Sequence, residues 1–211
     1  MREIKTRPIL FSAPMVRAIL DGHKTQTRRA LKKQESYAHW SCATRVFDSE
    51  YLKQFLPGAD QSSWVLQEHP GEIVDLKWQP VGCPNGKPGD RLWVRETFSA
   101  NEFMECKYRA DETVPCGWTP SIHMPRWASR ITLEITNVRV ERLQDISAAD
   151  AKAEGCTKPH LPTEISGIAG DYTADERTSF ALLWNSINGP GSWQQNPWVW
   201  VIEFKRIQEA A

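Results

Sequence analysis

The chain has 211 residues, about 1.4 times a typical domain of roughly 150, which favours one domain carrying insertions over two independent ones. Lys plus Arg and Asp plus Glu both number 26, so the formal net charge is zero and a uniformly basic protein that coats nucleic acid is excluded. With 40% hydrophobic and 25% charged residues, the chain has ample apolar material for a core, which excludes global disorder. The charge is nonetheless sorted along the sequence. Residues 1–33 carry nine basic and two acidic side chains, a net of +7, while residues 34–88, 89–143 and 144–211 sum to −3, zero and −4. Ten Trp, about 5% of the chain, are the compositional outlier; core packing is their ordinary use and stacking on bases the other. Five Cys (42, 83, 106, 116 and 156) at wide spacing, with no C-x-x-C, point away from a disulfide framework or a zinc site, and no metal or cofactor is expected. The start MREIKTRPILF lacks an apolar signal region and no run approaches the roughly 18 apolar residues of a membrane span, so a cytoplasmic protein without membrane contact is expected.

Ile4 to Phe11 reads as a short strand. Pro14 then opens an amphipathic helix through Met15, Val16, Ile19 and Leu20, ended by Gly22. A second strand is expected to leave that turn, placing Lys24 and Thr27 near its mouth. Residues 34–87 are rich in Pro and Gly and read as an irregular insertion or lid; a surface excursion is the equal alternative. Regular structure resumes at P-G-D-R-L-W-V-R-E (88–96), where Leu92 and Val94 alternate with Trp93 and Arg95. Cys106 to Ala110 is another strand. The longest β signal runs from Ser129 to Leu143, with Thr136-Asn137 breaking the alternation as a bulge would. A helix follows with Ser147 as N-cap and Gly155 as its stop. A polar loop over 157–172 leads to a helix from about Ala174 to Ile187, with Phe180, Leu183 and Trp184 on one face. The alternating W-V-W-V-I-E-F (198–204) closes a sheet, and Trp198 and Trp200 are expected to pack on the Phe180 and Trp184 helix. The sum is a mostly β (α+β) fold with two or three peripheral helices, which favours a small mixed or antiparallel barrel as a single domain over 1–211.

Read together, I-L-D-G-H-K-T-Q-T-R-R (19–29), P-G-D-R-L-W-V-R-E (88–96), the strand and helix ending A-E-G (153–155) and W-V-W-V-I-E-F (198–204) resemble the ASCH domain family, whose fold is PUA-like. The resemblance covers residues 4–31, 88–156 and 174–207 and extends to prophage-encoded ASCH-like proteins. In the small bacterial ASCH amidohydrolases that deacetylate N4-acetylcytidine, the functional set is a Lys and a Thr in the K-T-x-T element plus a Glu on the helix after the long strand. By motif position the resemblance implies Lys24, Thr27 and Glu154 as catalytic residues. This chain is about twice as long as those enzymes and carries His23 where they often have Arg, so the resemblance implies the reaction class more than the substrate.

Amide hydrolysis needs a nucleophile, a base and a proton donor for the leaving amine. Thr27 offers the hydroxyl. Lys24, crowded by burial and by Arg28 or Arg29, can act as its base, and Glu154 can orient the Lys or carry a proton. The bland reading of the same residues is a solvated strand edge and a helix-end carboxylate.

A second constellation, Ser121 to Arg130, combines Arg126, Trp127 and Arg130, which can stack a base or clamp a phosphate. Its alternative is ion pairing of Arg126 and Arg130 with acids such as Glu96 and Glu134. Trp93 and Glu96 on the neighbouring strand, with Arg28 and Arg29, complete the expected substrate or nucleic-acid contacts. His39, His69 and His160 have no partner at metal-ligand spacing. The reading is a nucleobase- or nucleoside-binding protein that hydrolyses an N-acyl amide. The alternatives are a noncatalytic RNA- or DNA-binding module, RNA in preference to DNA, a ribonuclease, or a phage protein that contacts a host partner through residues 34–87.

Overall fold

The protein is described by a computed structural model covering residues 3–32, 40, 42–45, 54, 63–67, 78–111, 117–156 and 175–207. In chain order the elements are β1 (Thr6–Leu10), α1 (Ala13–Leu20), β2 (Gln26–Ala30), β3 (Cys42–Arg45), β4 (Trp64–Gln67), β5 (Trp78–Val81), β6 (Arg91–Arg95), β7 (Phe98–Ala100), β8 (Cys106–Tyr108), β9 (Thr132–Arg142), α2 (Ala148–Ala153), α3 (Glu176–Asn188) and β10 (Trp198–Ile207). Strands outweigh helices, and none of the described helices is long and apolar enough to cross a membrane.

The main sheet has five strands in the order β1-β6-β9-β10-β2; β1 and β6 run parallel and the other pairs antiparallel. Among the described residues β1 and β2 each pair on one side only, so the expected closed barrel is not formed. The gap between these edges is occupied by α1, whose Val16 and Ile19 enter the same core as Ile9 of β1 and Leu31 after β2. A side chain bridges the edges where a ladder does not: the Arg29 guanidinium donates to the Leu10 carbonyl oxygen at 2.7 Å.

Strand β10 is buried on both faces, and its alternation sorts the two cores. Trp198, Trp200, Ile202 and Phe204 point to the α1 side, while Val199 and Val201 pack with Phe180 and Trp184 of α3 and with Leu143, Ile146 and Ala151 around α2. The expectation that Trp198 and Trp200 meet α3 is therefore overturned; the register gives that face to the valines. The expected bulge is present. Glu203 pairs with Asn137 and Phe204 with Ile135, which leaves Thr136 as the extra residue.

The 34–87 segment is less irregular than its Pro and Gly content suggests. β3, β4 and β5 form a three-stranded antiparallel sheet, and Trp40 and Leu66 enter the main core. Arg45 Nη2 donates to Asn137 Oδ1 at 3.4 Å and Arg142 Nη2 to the Trp40 carbonyl at 2.7 Å, tying the segment to β9. The sequence missed these strands because each is only four residues long and carries little alternation. His39, His69, His160 and the loop over 157–172 lie outside the described residues.

Helix α2 begins with a reciprocal capping box. Ser147 Oγ accepts from the Asp150 backbone N–H at 3.0 Å, and the Ser147 backbone N–H donates to Asp150 Oδ2 at 3.4 Å; Oγ also donates to Oδ2 at 2.8 Å. Burial pushes the Asp150 carboxyl up, but the Ser147 hydrogen bond, the Arg28 charge, Gln26 and Arg139 together hold it below its ordinary value. A lowered folded pKa contributes stability above the unfolded value, about 3.9, and that stability is lost as the pH falls through the folded value. Ser147→Ala is therefore expected to cost about 1 kcal/mol at neutral pH, and the deficit should narrow below about pH 4. Thermal melts at both pH values check this; an undiminished deficit in acid would count against it.

Candidate active site

Two backbone features bring the turn after α1 against the end of α2. Residues 24 and 25 run between β10 and α2: Phe204 N–H donates to the Thr25 carbonyl at 2.9 Å, and Thr25 N–H donates to the Ala153 carbonyl at 2.8 Å. Lys24 and Glu154 then form an isolated antiparallel bridge. Gly155 permits the approach, since it has φ +87° and a Cβ there would lie 3.1 Å from Ala18 Cβ and 3.4 Å from Lys24 Cβ.

This backbone contact aligns the side chains. Lys24 Nζ lies 2.8 Å from Glu154 Oε2 and 2.8 Å from the Glu154 carbonyl oxygen, with side-chain exposures of 0% and 3%. The Nζ also sits 5.6 Å from the Phe11 ring centroid. Arg28, fully buried, donates from Nη1 to Glu154 Oε1 at 3.3 Å and from Nη2 to Glu141 Oε2 at 3.1 Å, and lies 3.6 Å from Asp150 Oδ2. The two oxygens of Glu154 are thus divided between an ammonium and a guanidinium. Beyond Glu141 the network continues through Arg139, which pairs with Glu141, Glu203 and Asp150.

Thr27 is buried beside this cluster. With Glu154, Arg28 and Phe180 it lines a cavity of about 60 Å³ under α3. Met15, Glu154 and Leu183 also line a larger cavity, about 490 Å³, held between α1 and α3 with Gly155 and Cys156 at its base. The two spaces share these three residues and form a two-lobed recess with Glu154 between the lobes. Cys156 is no competing nucleophile: burial and the Glu154 charge push its thiol up to about 11, against the pull of Lys24, so it stays protonated near neutral pH.

The structure therefore joins Lys24, Glu154 and Arg28 by direct contacts, and Thr27 shares with Glu154 and Arg28 the lining of the smaller lobe. Arg28 was expected to contact substrate, but its guanidinium is occupied by three carboxylates and is better described as the anchor of Glu154. Arg29 lines the smaller lobe and lies 5.4 Å from the Phe11 ring centroid. Burial holds its guanidinium below the ordinary value, with Glu154 acting in the opposite sense. None of the described residues of the 34–87 segment lines either lobe, so a lid role has no support among them.

The second constellation forms a separate group. Arg130 makes a bidentate pair with Glu96 (Nε–Oε1 2.9 Å, Nη2–Oε2 3.1 Å), binds Asp111 as well, and stacks 3.9 Å from the Tyr108 ring centroid. Burial raises the Glu96 carboxyl above its usual range, while Arg130 opposes that shift. Arg130 and Glu96 are thus an internal strut, the ion-pair alternative of the sequence reading, whereas Glu134 pairs with Lys205. Arg126 lies over Trp93, and Trp127 is 55% exposed.

Glu141, Asp150 and Arg139 escaped the sequence reading. Their signal was present: Arg139 and Glu141 alternate with the core residues Val138 and Val140, so they share the face of β9 turned towards α2.

No family model and no curated protein matches the chain. Among solved structures it is similar to an Enterococcus faecalis protein of the DUF984 family at 10% identity, covering 100% of this chain and 87% of that one with a TM-score of 0.40. It is also similar to an ASCH domain from Lactobacillus crispatus at 12% identity, covering 96% and 79%, with a TM-score of 0.36. At these values neither structure establishes a family for this chain.

Proposed function

We propose that the recess between α1 and α3 hydrolyses an N-acyl amide on a modified nucleoside of the cytidine type, on a PUA-like scaffold of the ASCH kind. The carrying observation is the buried contact of Lys24 with Glu154, a carboxylate that lines both lobes, with Thr27 on the wall of the smaller one. The K-T-x-T and A-E-G elements of the sequence supply the same three residues.

The Lys24 to Glu154 hydrogen bond lets one proton move between Nζ and Oε2. With that proton on Glu154, Nζ has a lone pair to take the Thr27 proton as Thr27 Oγ attacks the acyl carbon. The tetrahedral intermediate expels the exocyclic nitrogen, which leaves as an amine with the proton from Glu154. Lys24 then passes its extra proton to Glu154, and the neutral amine takes a proton from water as that water attacks the Thr27 ester. The ester breaks at the acyl carbon, Thr27 Oγ takes the proton held by Glu154, which restores the starting ammonium and carboxylate, and the carboxylic acid departs. Arg28 keeps Glu154 oriented throughout.

The test offers N4-acetylcytidine, free and within a short oligonucleotide, to the purified protein and separates cytidine and acetate by chromatography. Thr27→Val, which keeps the side-chain volume, is expected to lower kcat at least about a hundredfold. No turnover of either acylated form, or turnover indifferent to Thr27→Val, removes the enzyme reading. Ligand binding without turnover would leave a noncatalytic module, and RNA cleavage would indicate a ribonuclease.

A further inference from the structure

Leu10, the last residue of β1, adjoins both groups of residues described above. Its carbonyl accepts the Arg29 guanidinium at the recess, its backbone is registered with Arg95 in the β1–β6 ladder, and Ser12, two residues on, lines the larger lobe. Beyond this seam the outer face of β6 carries Arg91, Trp93 and Arg95 in a row. Alternate strand residues face the same way and recur about every 6.6 Å, a step comparable with that between phosphates of an extended single strand.

The guanidinium carbons of Arg95 and Arg126 lie 5.4 and 5.8 Å from the Trp93 ring centroid. The adjoining turns add Trp127 and Ile122, 55% and 59% exposed. Arg95 donates to the Ile122 carbonyl oxygen, a neutral acceptor that leaves its charge in place, unlike Arg130 with its two carboxylates. Helices α2 and α3 pack on the Val199 and Val201 face of the sheet at β10. Exposed apolar side chains alone would suit a protein partner. Arginines in a row with an indole between them, and a second indole open to solvent, suit a polyanion whose units also offer π-faces.

We infer that this face is a binding track for single-stranded nucleic acid that leads over Leu10 into the recess, so that the acylated base is presented within a strand. The track stands on its own geometry; the substrate class rests on the hydrolysis proposed above.

Fluorescence anisotropy with a labelled single-stranded RNA, the same sequence as DNA, and a duplex control tests the track in the full chain. Both single strands are expected to bind within a few-fold of each other, more tightly than the duplex, and more weakly as salt rises. Trp127→Ala should weaken binding about tenfold, and Arg91→Glu should weaken it and reduce the salt slope by about one or more. Thermal melts verify that both variants are folded. In the hydrolysis assay, the preference in kcat/KM for the acetylated base within a strand over the free nucleoside should shrink about tenfold in Trp127→Ala. Absence of single-strand binding at low salt, or binding indifferent to both substitutions, overturns the track. A concentration-dependent dimer that Trp127→Ala abolishes would assign the face to a second copy of the chain and overturn it too. Strand binding without hydrolysis of either substrate retains the track and overturns the proposed chemistry. Equal hydrolysis of strand and nucleoside retains the chemistry and overturns the link between track and recess.

Discussion

Glu154→Ala is expected to lower the unfolding free energy by about 3–5 kcal/mol, the usual cost of removing one partner from a buried ion pair. Lys24 has a fully buried side chain, and Glu154 is the carboxylate it contacts. Without it the ammonium retains one backbone carbonyl and the Phe11 ring, too little to replace its lost hydration. Lys24→Met should cost less, because Glu154 keeps its 3.3 Å contact with Arg28. The double variant Lys24→Met/Glu154→Leu should recover much of the loss, since Arg28 still has Glu141 and Asp150. Denaturant titrations of the wild type, Lys24→Met, Glu154→Leu and the double variant form a double-mutant cycle, and the coupling is expected to exceed about 1 kcal/mol. A Glu154→Ala protein within about 1 kcal/mol of wild type would show that the pair is not desolvated as the structure describes it. The cycle also separates structure from chemistry. The double variant, though stable, should show no turnover, because the group that moves the proton is gone.

The helices and long strands were legible because their signals are local. Ser147 at the cap of α2, Gly155 at its stop, the break at Thr136-Asn137 and the alternation of β10 each act through the backbone of a few neighbouring residues. The nearness of Lys24 to Glu154 was legible through motif resemblance, since no local rule joins residues 130 positions apart. Charge was the least transferable signal. The +7 of the first 33 residues suggests a positive mouth, yet Arg7 pairs with Asp90, Lys24 with Glu154, and Arg28 with Glu141, Asp150 and Glu154. Later acids cancel the early bases once the chain folds, and net charge by segment cannot register that pairing. The same limit explains Arg130, which is drawn inward by Glu96 and Asp111, while Arg91 and Arg95 lie on the outer face of β6.

Trp200→Ala should be as costly as the loss of Glu154, about 3–5 kcal/mol, but for a different reason. Trp200 is 2% exposed and lies on β10 opposite Val140 of β9 and Arg29 of β2, in the core that α1 closes. β10 is paired on both sides and packed on both faces, so the surrounding strands have little freedom to collapse into the space left by an indole. Val201→Ala, on the opposite face, removes far less volume, and a loss of about 1–2 kcal/mol is expected by comparison with other small core truncations. Trp200→Phe should fall between them. The position of Arg29 adds a functional readout: its backbone is registered with Trp200, and its side chain bridges to Leu10 at the rim of the recess. If β10 holds the recess as well as the core, Trp200→Phe should raise KM more than Val201→Ala does, at temperatures where both remain folded. Urea melts and steady-state kinetics on the same preparations decide this; a Trp200→Ala loss below about 1.5 kcal/mol would mean that the sheet can relax around the gap.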